Sequence, residues 1–137
     1  MPTIFTRIIE DELPGRFVWR DDRCVAFLTI EPLNPGHTLV VPIEEVDHWI
    51  NLEANLAAHL FDVARTIGRA VFEAFSPARV GLIVAGMEVP HAHIHVVPIN
   101  RESDLHFENA NRSASDADLD AAADRLRAAL ENATGEP

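Results

Sequence analysis

The chain is short of cysteine, of basic residues and of long apolar runs, and each shortage removes a class of function. Cys24 is the only cysteine, so an intramolecular disulfide and a zinc site built from several thiolates are both excluded. In its β-prone surroundings it reads as a small buried hydrophobe on a strand. Lysine and arginine number 11 against 22 acidic residues, a net charge of −11. Such a surface repels polyanions, so a large nucleic acid, which is held by cations neutralising its phosphates, is not an expected partner. A small phosphorylated molecule in a local pocket is compatible with that charge. No apolar stretch approaches the roughly 18 residues of a membrane span, and no membrane partner is expected. The first dozen residues carry Arg7, Glu10, Asp11 and Glu12 where a secretory signal would have an apolar core. A cytoplasmic location is the expectation. With no internal repeat and no low-complexity linker, one domain over residues 1–137 is expected.

What the chain does contain is a series of short, well-punctuated elements. Thr3 is a capping-type residue, and apolar positions 4, 5, 8 and 9 give a short amphipathic helix ended by Pro14-Gly15. Phe17 to Trp19 and Cys24 to Leu28 are β-prone runs split by Arg20-Asp21-Asp22-Arg23, a hairpin with a polar turn. Pro32, Asn34, Pro35 and Gly36 form a loop before a third strand, His37 to Val41, stopped by Pro42. From Glu53 to Phe75, apolar residues at 56, 60, 63, 67, 71 and 75 line one face of a long helix. His59, one residue before that stripe, reads as a partly exposed helix residue. Arg79 to Ala85 is a fourth strand, Gly86 to Pro90 a turn, and His91 to Val97 a fifth strand closed by Pro98. After a polar stretch from Asn100 to Ser113, Ser115 with Asp118 opens a C-terminal helix over about 115–132, and residues 132–137 are expected to fray. Strands joined by short turns argue for an α+β fold with an antiparallel five-stranded sheet, a long helix and a C-terminal helix.

The run His91-Ala92-His93-Ile94-His95 concentrates the chemistry. Side chains alternate across a strand, so the three imidazoles emerge on one face while Ala92, Ile94 and Val96 point to the core. An exposed polar face, a metal site and a catalytic row are the readings to weigh. Residues two apart on a strand are roughly 6.6 Å apart and the outer pair about 13 Å, so all three cannot converge on one zinc, and no His-Glu-x-x-His helix supplies further ligands. Covalent catalysis on phosphorus suits the row better. A neutral imidazole attacks, and like-charge repulsion disfavours protonating several members together, which keeps the middle histidine, His93, available as nucleophile. Backbone N–H groups of the turn from Gly86 to Val89 are placed to stabilise phosphoryl oxygens, and His37 is a candidate to complete the cluster. His48 and His106 read as surface or packing residues.

The row continues through Val96-Val97 and resembles the His-φ-His-φ-His-φ-φ pattern of the histidine triad (HIT) family, where φ is apolar. The resemblance extends to Gly86-Met87-Glu88-Val89-Pro90, to Asn34-Pro35-Gly36-His37-Thr38-Leu39-Val40-Val41-Pro42, to Ile4-Phe5-Thr6-Arg7-Ile8-Ile9 and to Asp21-Asp22-Arg23-Cys24-Val25-Ala26-Phe27, together roughly residues 3–100. It implies a HIT-like fold, a homodimer joined through a continuous sheet, and hydrolysis or transfer of a nucleoside monophosphate from a purine nucleotide, with no cofactor. By position His93 is the residue that becomes nucleotidylated, His95 lies near the leaving group, His91 orients His93 through its backbone carbonyl, and His37 is the fourth member. Ile4, Phe5, Ile8, Phe27, Leu28 and Ile30 resemble the apolar wall around the base. In some relatives the segment after the triad reaches the partner's site, which makes Leu105 to Phe107 a candidate.

Three positions depart from the family pattern. Thr29 stands where many members bind ribose hydroxyls with an aspartate. Glu88 stands where some place a serine beside the leaving group, and a carboxylate there disfavours an anionic leaving phosphate relative to an amine. Thr3 and Thr6 stand where many bacterial members carry two zinc-binding cysteines, so no structural metal is expected. The departure at Glu88 points to a phosphoramidase-like hydrolase. A dinucleoside polyphosphate hydrolase and a nucleotide-binding scaffold are the alternatives.

Overall fold

A computed structural model describes residues 2–134. Helix α1, Ile4–Ile9, is capped by Thr3, whose hydroxyl accepts the Thr6 N–H. Strands β1, Phe17–Arg20, and β2, Cys24–Leu28, form the hairpin, with a register shift between Phe17 and Trp19. Strand β3, Thr38–Pro42, follows the turn-rich loop. Helix α2, Ala54–Phe75, starts at Glu53, whose carboxylate accepts the N–H groups of Asn55 and Leu56, and ends at Ser76 in the left-handed conformation. Strands β4, Arg79–Ile83, and β5, Ile94–Ile99, lead to helix α3, Asp116–Thr134, where Ser115 Oγ accepts the Asp118 N–H.

All five strands join one antiparallel sheet in the order β1-β2-β3-β5-β4. Every residue of β2 and β3 is buried, because both faces of the sheet centre are covered. Alternation decides which layer each side chain joins. Cys24, Ala26, Leu28, Val40, Ile94 and Val96 pack under α2 and α3. Val25, Phe27, Leu39 and Val41 pack on the other face, with Phe5 and Ile9 of α1. The same pleat carries His93 and His95 away from Ile94 and Val96 and onto the α1 face, where Phe5 meets the His93 ring.

Several boundaries differ from the sequence-based expectation. The fifth strand begins at Ile94 rather than His91: Val40 pairs with Ile94 as the last rung, and beyond it the Ala92 N–H donates to the Val46 carbonyl, outside the ladder. His91 and His93 therefore sit on the approach to β5. Pro42 and Pro98 lie within their strands, paired with Cys24 and Val80. Each still offers a carbonyl, which accepts from His91 Nε2 and from Asn34 Nδ2 respectively. Helix α3 runs through Thr134, past the expected fraying at Asn132, and residues 135–137 lie outside the described residues. The polar stretch after β5 holds two single 3-10 turns, Glu102–Leu105 and Phe107–Asn109.

One glycine is required by the turn that delivers His37. Gly36 has φ of 103°, and a Cβ there would stand 2.7 Å from the Phe75 ring. Gly36→Ala is expected to cost about 1–3 kcal/mol, from backbone strain together with the clash. Urea unfolding at an unchanged m-value measures it; a loss smaller than about 0.5 kcal/mol, the range of neutral surface changes, contradicts this account of the turn.

Candidate active site

Four imidazoles meet on the α1 face, where β3 and β5 run side by side. His37, His91 and His93 are buried and His95 is half-buried. The ring centroids of His93 and His95 are 4.8 Å apart, and those of His37 and His95 are 5.1 Å apart. The row and its fourth member thus form one cluster.

Backbone groups fix the proton on each ring, because a carbonyl can only accept and an N–H can only donate. His93 Nδ1 lies 2.7 Å from the His91 carbonyl, so Nδ1 carries the proton and Nε2 keeps a lone pair. The Leu33 N–H donates to His37 Nδ1 at 3.0 Å, so the His37 proton is on Nε2, which donates to His95 Nδ1 at 2.9 Å. His95 then carries its own proton on Nε2. Two neighbouring rings are held in opposite states: His93 offers a lone pair at Nε2, and His95 offers an N–H at the same atom.

His91 is fixed in turn. Its Nε2 donates to the Pro42 carbonyl at 2.8 Å, so Nδ1 accepts from the Thr3 hydroxyl at 2.7 Å. Glu45 anchors this arrangement, its Oε1 accepting the Thr3 N–H at 2.7 Å and the Thr6 hydroxyl at 2.6 Å. Glu45 is a participant that no sequence pattern marked, since it meets residues about 40 positions away only in the fold. Thr3 and Thr6 present neutral hydroxyls already engaged in this network and offer no thiolate, so a structural zinc does not fit between them and His91.

Burial keeps the cluster neutral. Desolvation pushes His37 down to about 4 and His95 down to about 3, each helped by the neighbouring imidazoles. His93 and His91 also lie below the ordinary histidine value, again chiefly by burial, although the His91 carbonyl opposes the shift at His93 and the Pro42 carbonyl opposes it at His91.

The other residues expected at the site divide by the pleat. Phe5 stands edge-on to His93 at 4.9 Å and to Phe27 at 5.7 Å, and Ile8 and Val89 pack against the same cluster. Ile4 and Ile30 are exposed. Leu28 does not join this wall: it alternates to the opposite face, in the cluster beneath α2 and α3. Leu28 and Thr29 line a cavity of about 560 Å³ that also has His37 and Gly36 in its wall and reaches Phe75, Asp118 and Arg125. The Thr29 hydroxyl accepts the Glu31 N–H, which leaves its own proton free to donate. Gly86 turns the chain at φ of 76°, and Glu88 is exposed on the turn that follows. Phe107 lies 5.1 Å from the His95 ring of its own chain, so the segment after the triad borders the imidazoles without a second protomer. His48 caps a 3-10 turn through the Ile50 N–H, and His106 is exposed. His59 is partly exposed as expected, but it also meets Asp21, a pairing the helix pattern gave no sign of.

A neutral imidazole with one nitrogen free, beside another that presents an N–H, is the pair of groups that nucleophilic catalysis by histidine requires, here carried on an α+β scaffold. The model of the HIT domain matches residues 10–102, and the chain belongs to the histidine triad family. An uncharacterised HIT-like protein of Borreliella burgdorferi is 34% identical over 116 residues, spanning 80% of this chain and 84% of that protein. A hypothetical histidine triad nucleotide-binding protein of Sulfolobus tokodaii, 23% identical, shares the fold with a TM-score of 0.85 over 97% of each chain. Two relatives carry names that state an activity. An adenylylsulfatase of Arabidopsis thaliana is 27% identical over 128 residues, 90% of this chain and 64% of that protein. An asymmetrical bis(5'-nucleosyl)-tetraphosphatase of Schizosaccharomyces pombe is 28% identical over 104 residues, 69% of this chain and 57% of that protein.

Neutral burial of the histidines makes stability depend on pH in a definite direction. The unfolded chain protonates these rings near pH 6.5, whereas the folded chain holds His37 neutral to about 4 and His95 to about 3. The unfolded state therefore binds more protons in that window, and stability is complete above 6.5 and declines as the pH falls through it. Urea unfolding is expected to show a loss of about 2 kcal/mol or more between about pH 7 and 5. Stability that is flat or rising over that interval contradicts the neutral cluster.

Proposed function

We propose that this protein is a nucleotide hydrolase or transferase that cleaves a nucleoside monophosphate from a phosphoramidate-type substrate through a covalent nucleotidyl-His93 intermediate. The observation that carries the proposal is the opposed state of the two Nε2 atoms. The His93 lone pair attacks the α-phosphorus, and the bond to the departing group breaks with its electron pair on that group. As the His93 ring becomes cationic, its Nδ1–H bond to the His91 carbonyl strengthens and stabilises the intermediate. His95 passes its Nε2 proton to the departing nitrogen, which leaves as the neutral amine. Water then attacks phosphorus, the bond from phosphorus to His93 Nε2 breaks with its electron pair on the ring, and one water proton returns to His95, which releases the monophosphate and restores both neutral imidazoles.

Phe5, Phe27 and Ile8 supply an apolar wall beside His93 for a purine base, and in this reading the exposed Ile4 and Ile30 add apolar surface to it. In this reading Thr29 donates to the ribose, and the Gly86 to Val89 turn directs backbone N–H groups at the phosphate. Glu88 repels an anionic leaving phosphate and tolerates an amine, which favours phosphoramidates. The Schizosaccharomyces pombe relative's name favours a second reading, a dinucleoside polyphosphate hydrolase. We further propose a homodimer in which the sheet continues from one protomer to the next: β4 ends the strand order, and Leu82 on it and Val84 just past it are exposed.

His93→Ala is expected to abolish release of adenosine monophosphate from an adenosine phosphoramidate, and mass spectrometry of the wild-type protein to trap a nucleotidyl adduct on His93. Undiminished turnover by the variant overturns the mechanism. His95→Ala should lower kcat about 10²–10⁴-fold with a poor amine leaving group and far less with a good leaving group such as p-nitrophenolate; equal losses on both contradict the role given to His95. Faster turnover of diadenosine polyphosphates than of phosphoramidates would overturn the reading of Glu88 and favour the second activity.

A further inference from the structure

Outside the imidazole cluster, the described residues bring together three side chains of metal-ligating type. Asp21 from the β1–β2 turn, Cys24 from the start of β2 and His59 from α2 each contribute one ligand atom, all within 4.8 Å of one another. They converge on a single oxygen. Asp21 Oδ2 lies 2.8 Å from His59 Nε2 and 3.7 Å from Cys24 Sγ.

The arrangement is close to what a tetrahedral divalent ion requires. With metal–sulfur bonds of about 2.3 Å and metal–nitrogen or metal–oxygen bonds of about 2.0–2.1 Å, sulfur and oxygen ligands stand about 3.5 Å apart, and nitrogen and oxygen ligands about 3.3 Å. The Asp21–Cys24 spacing is near that value, His59 needs to withdraw from Asp21 by about half an ångström, and the Cys24–His59 edge, which lies within 4.8 Å, has to close toward about 3.5 Å. The side chains of His59 and Asp21 are 31% and 24% exposed, which gives an ion a route in and a fourth position for water.

The carboxylate is pre-oriented for this role. Its Oδ1 accepts the N–H groups of Arg23 and Cys24, and Trp19 Nε1 donates to Oδ2 at 2.8 Å. Such outer partners hold a ligand's direction before the ion arrives. Charge also balances: one thiolate and one carboxylate neutralise a divalent cation, and imidazole is neutral.

We infer that Asp21, Cys24 and His59 form a binding site for a borderline divalent cation of the zinc type, which ties the β1–β2 hairpin to α2. On binding, the Cys24 thiol releases its proton to solvent, His59 shifts its proton to Nδ1, and the cation takes the Nε2 and Sγ lone pairs in place of the two hydrogens that now point at Asp21. No change of oxidation state is involved. A thiolate, imidazole and carboxylate set favours Zn(II) or Co(II) over Mg(II) or Ca(II). This inference is independent of the hydrolase reading, because none of the three residues belongs to the imidazole cluster.

Cobalt(II) is the direct probe, since Cys24 is the only cysteine in the chain and a thiolate-to-cobalt charge-transfer band can arise nowhere else. Titrating the reduced, full-length protein with Co(II) is expected to raise that near-ultraviolet band to saturation at one equivalent, with Zn(II) displacing it. Cys24→Ser should abolish the band, and His59→Gln, a partly exposed change that spares the core, should weaken Co(II) binding at least about tenfold. Absence of the band in excess Co(II), or unchanged affinity in His59→Gln, overturns the site and leaves the three residues as a hydrogen-bonded cluster.

Discussion

The hydrogen bond from His93 Nδ1 to the carbonyl of His91, at 2.7 Å, is the contact on which the rest of the centre depends. A free imidazole exchanges its proton between two nitrogens and is a nucleophile at neither in particular. Binding one nitrogen to a fixed carbonyl removes that ambiguity and aims the remaining lone pair. In the proposed mechanism the same bond acquires a second role once the ring is phosphorylated, because the carbonyl then faces a cation. A backbone acceptor suits both stages, since unlike a carboxylate it does not hold the free ring protonated.

The fold supplies this contact through a chain of fixed groups that begins at the surface. Glu45 holds the first turn of α1, the Thr3 hydroxyl at that turn donates to His91, and His91 braces against Pro42 at the end of β3. Thr3 therefore both caps α1 by accepting the Thr6 N–H and sets the proton position on His91. Helix α1 also brings Phe5 against the His93 ring. A helix of six residues could not stand alone in water; packed here, it ties the apolar wall to the orientation of the row.

Much of this was legible in the sequence because it rests on local periodicity and steric punctuation. The alternation in His91-Ala92-His93-Ile94-His95 predicted one imidazole face, and the apolar positions from Leu56 to Val71 predicted the buried side of α2. The exact start of β5 was not legible, since it depends on where β3 runs out across the sheet. Leu28 was misassigned because the apolar run Cys24 to Leu28 is buried on both faces, and a continuous run carries no alternation to say which residue faces α1. The roles of Glu45 and of His59 beside the Asp21–Cys24 turn were invisible for a different reason: each meets its partners about 40 positions away, and nothing local in an acidic residue or a helix histidine announces a distant contact. The departures at Thr3 and Thr6 were visible as absences, but the network that occupies their place became apparent only in three dimensions.

Membership of the family and the position of the histidines leave one claim at the centre of the account, that His93 is a neutral imidazole protonated at Nδ1 with Nε2 free. Long-range proton–nitrogen correlation spectra of the ¹⁵N-labelled protein at neutral pH read the state of each ring directly. The account predicts the Nδ1–H tautomer for His93 and the Nε2–H tautomer for His37, His91 and His95. A His93 ring found protonated at Nε2, or doubly protonated, would contradict it.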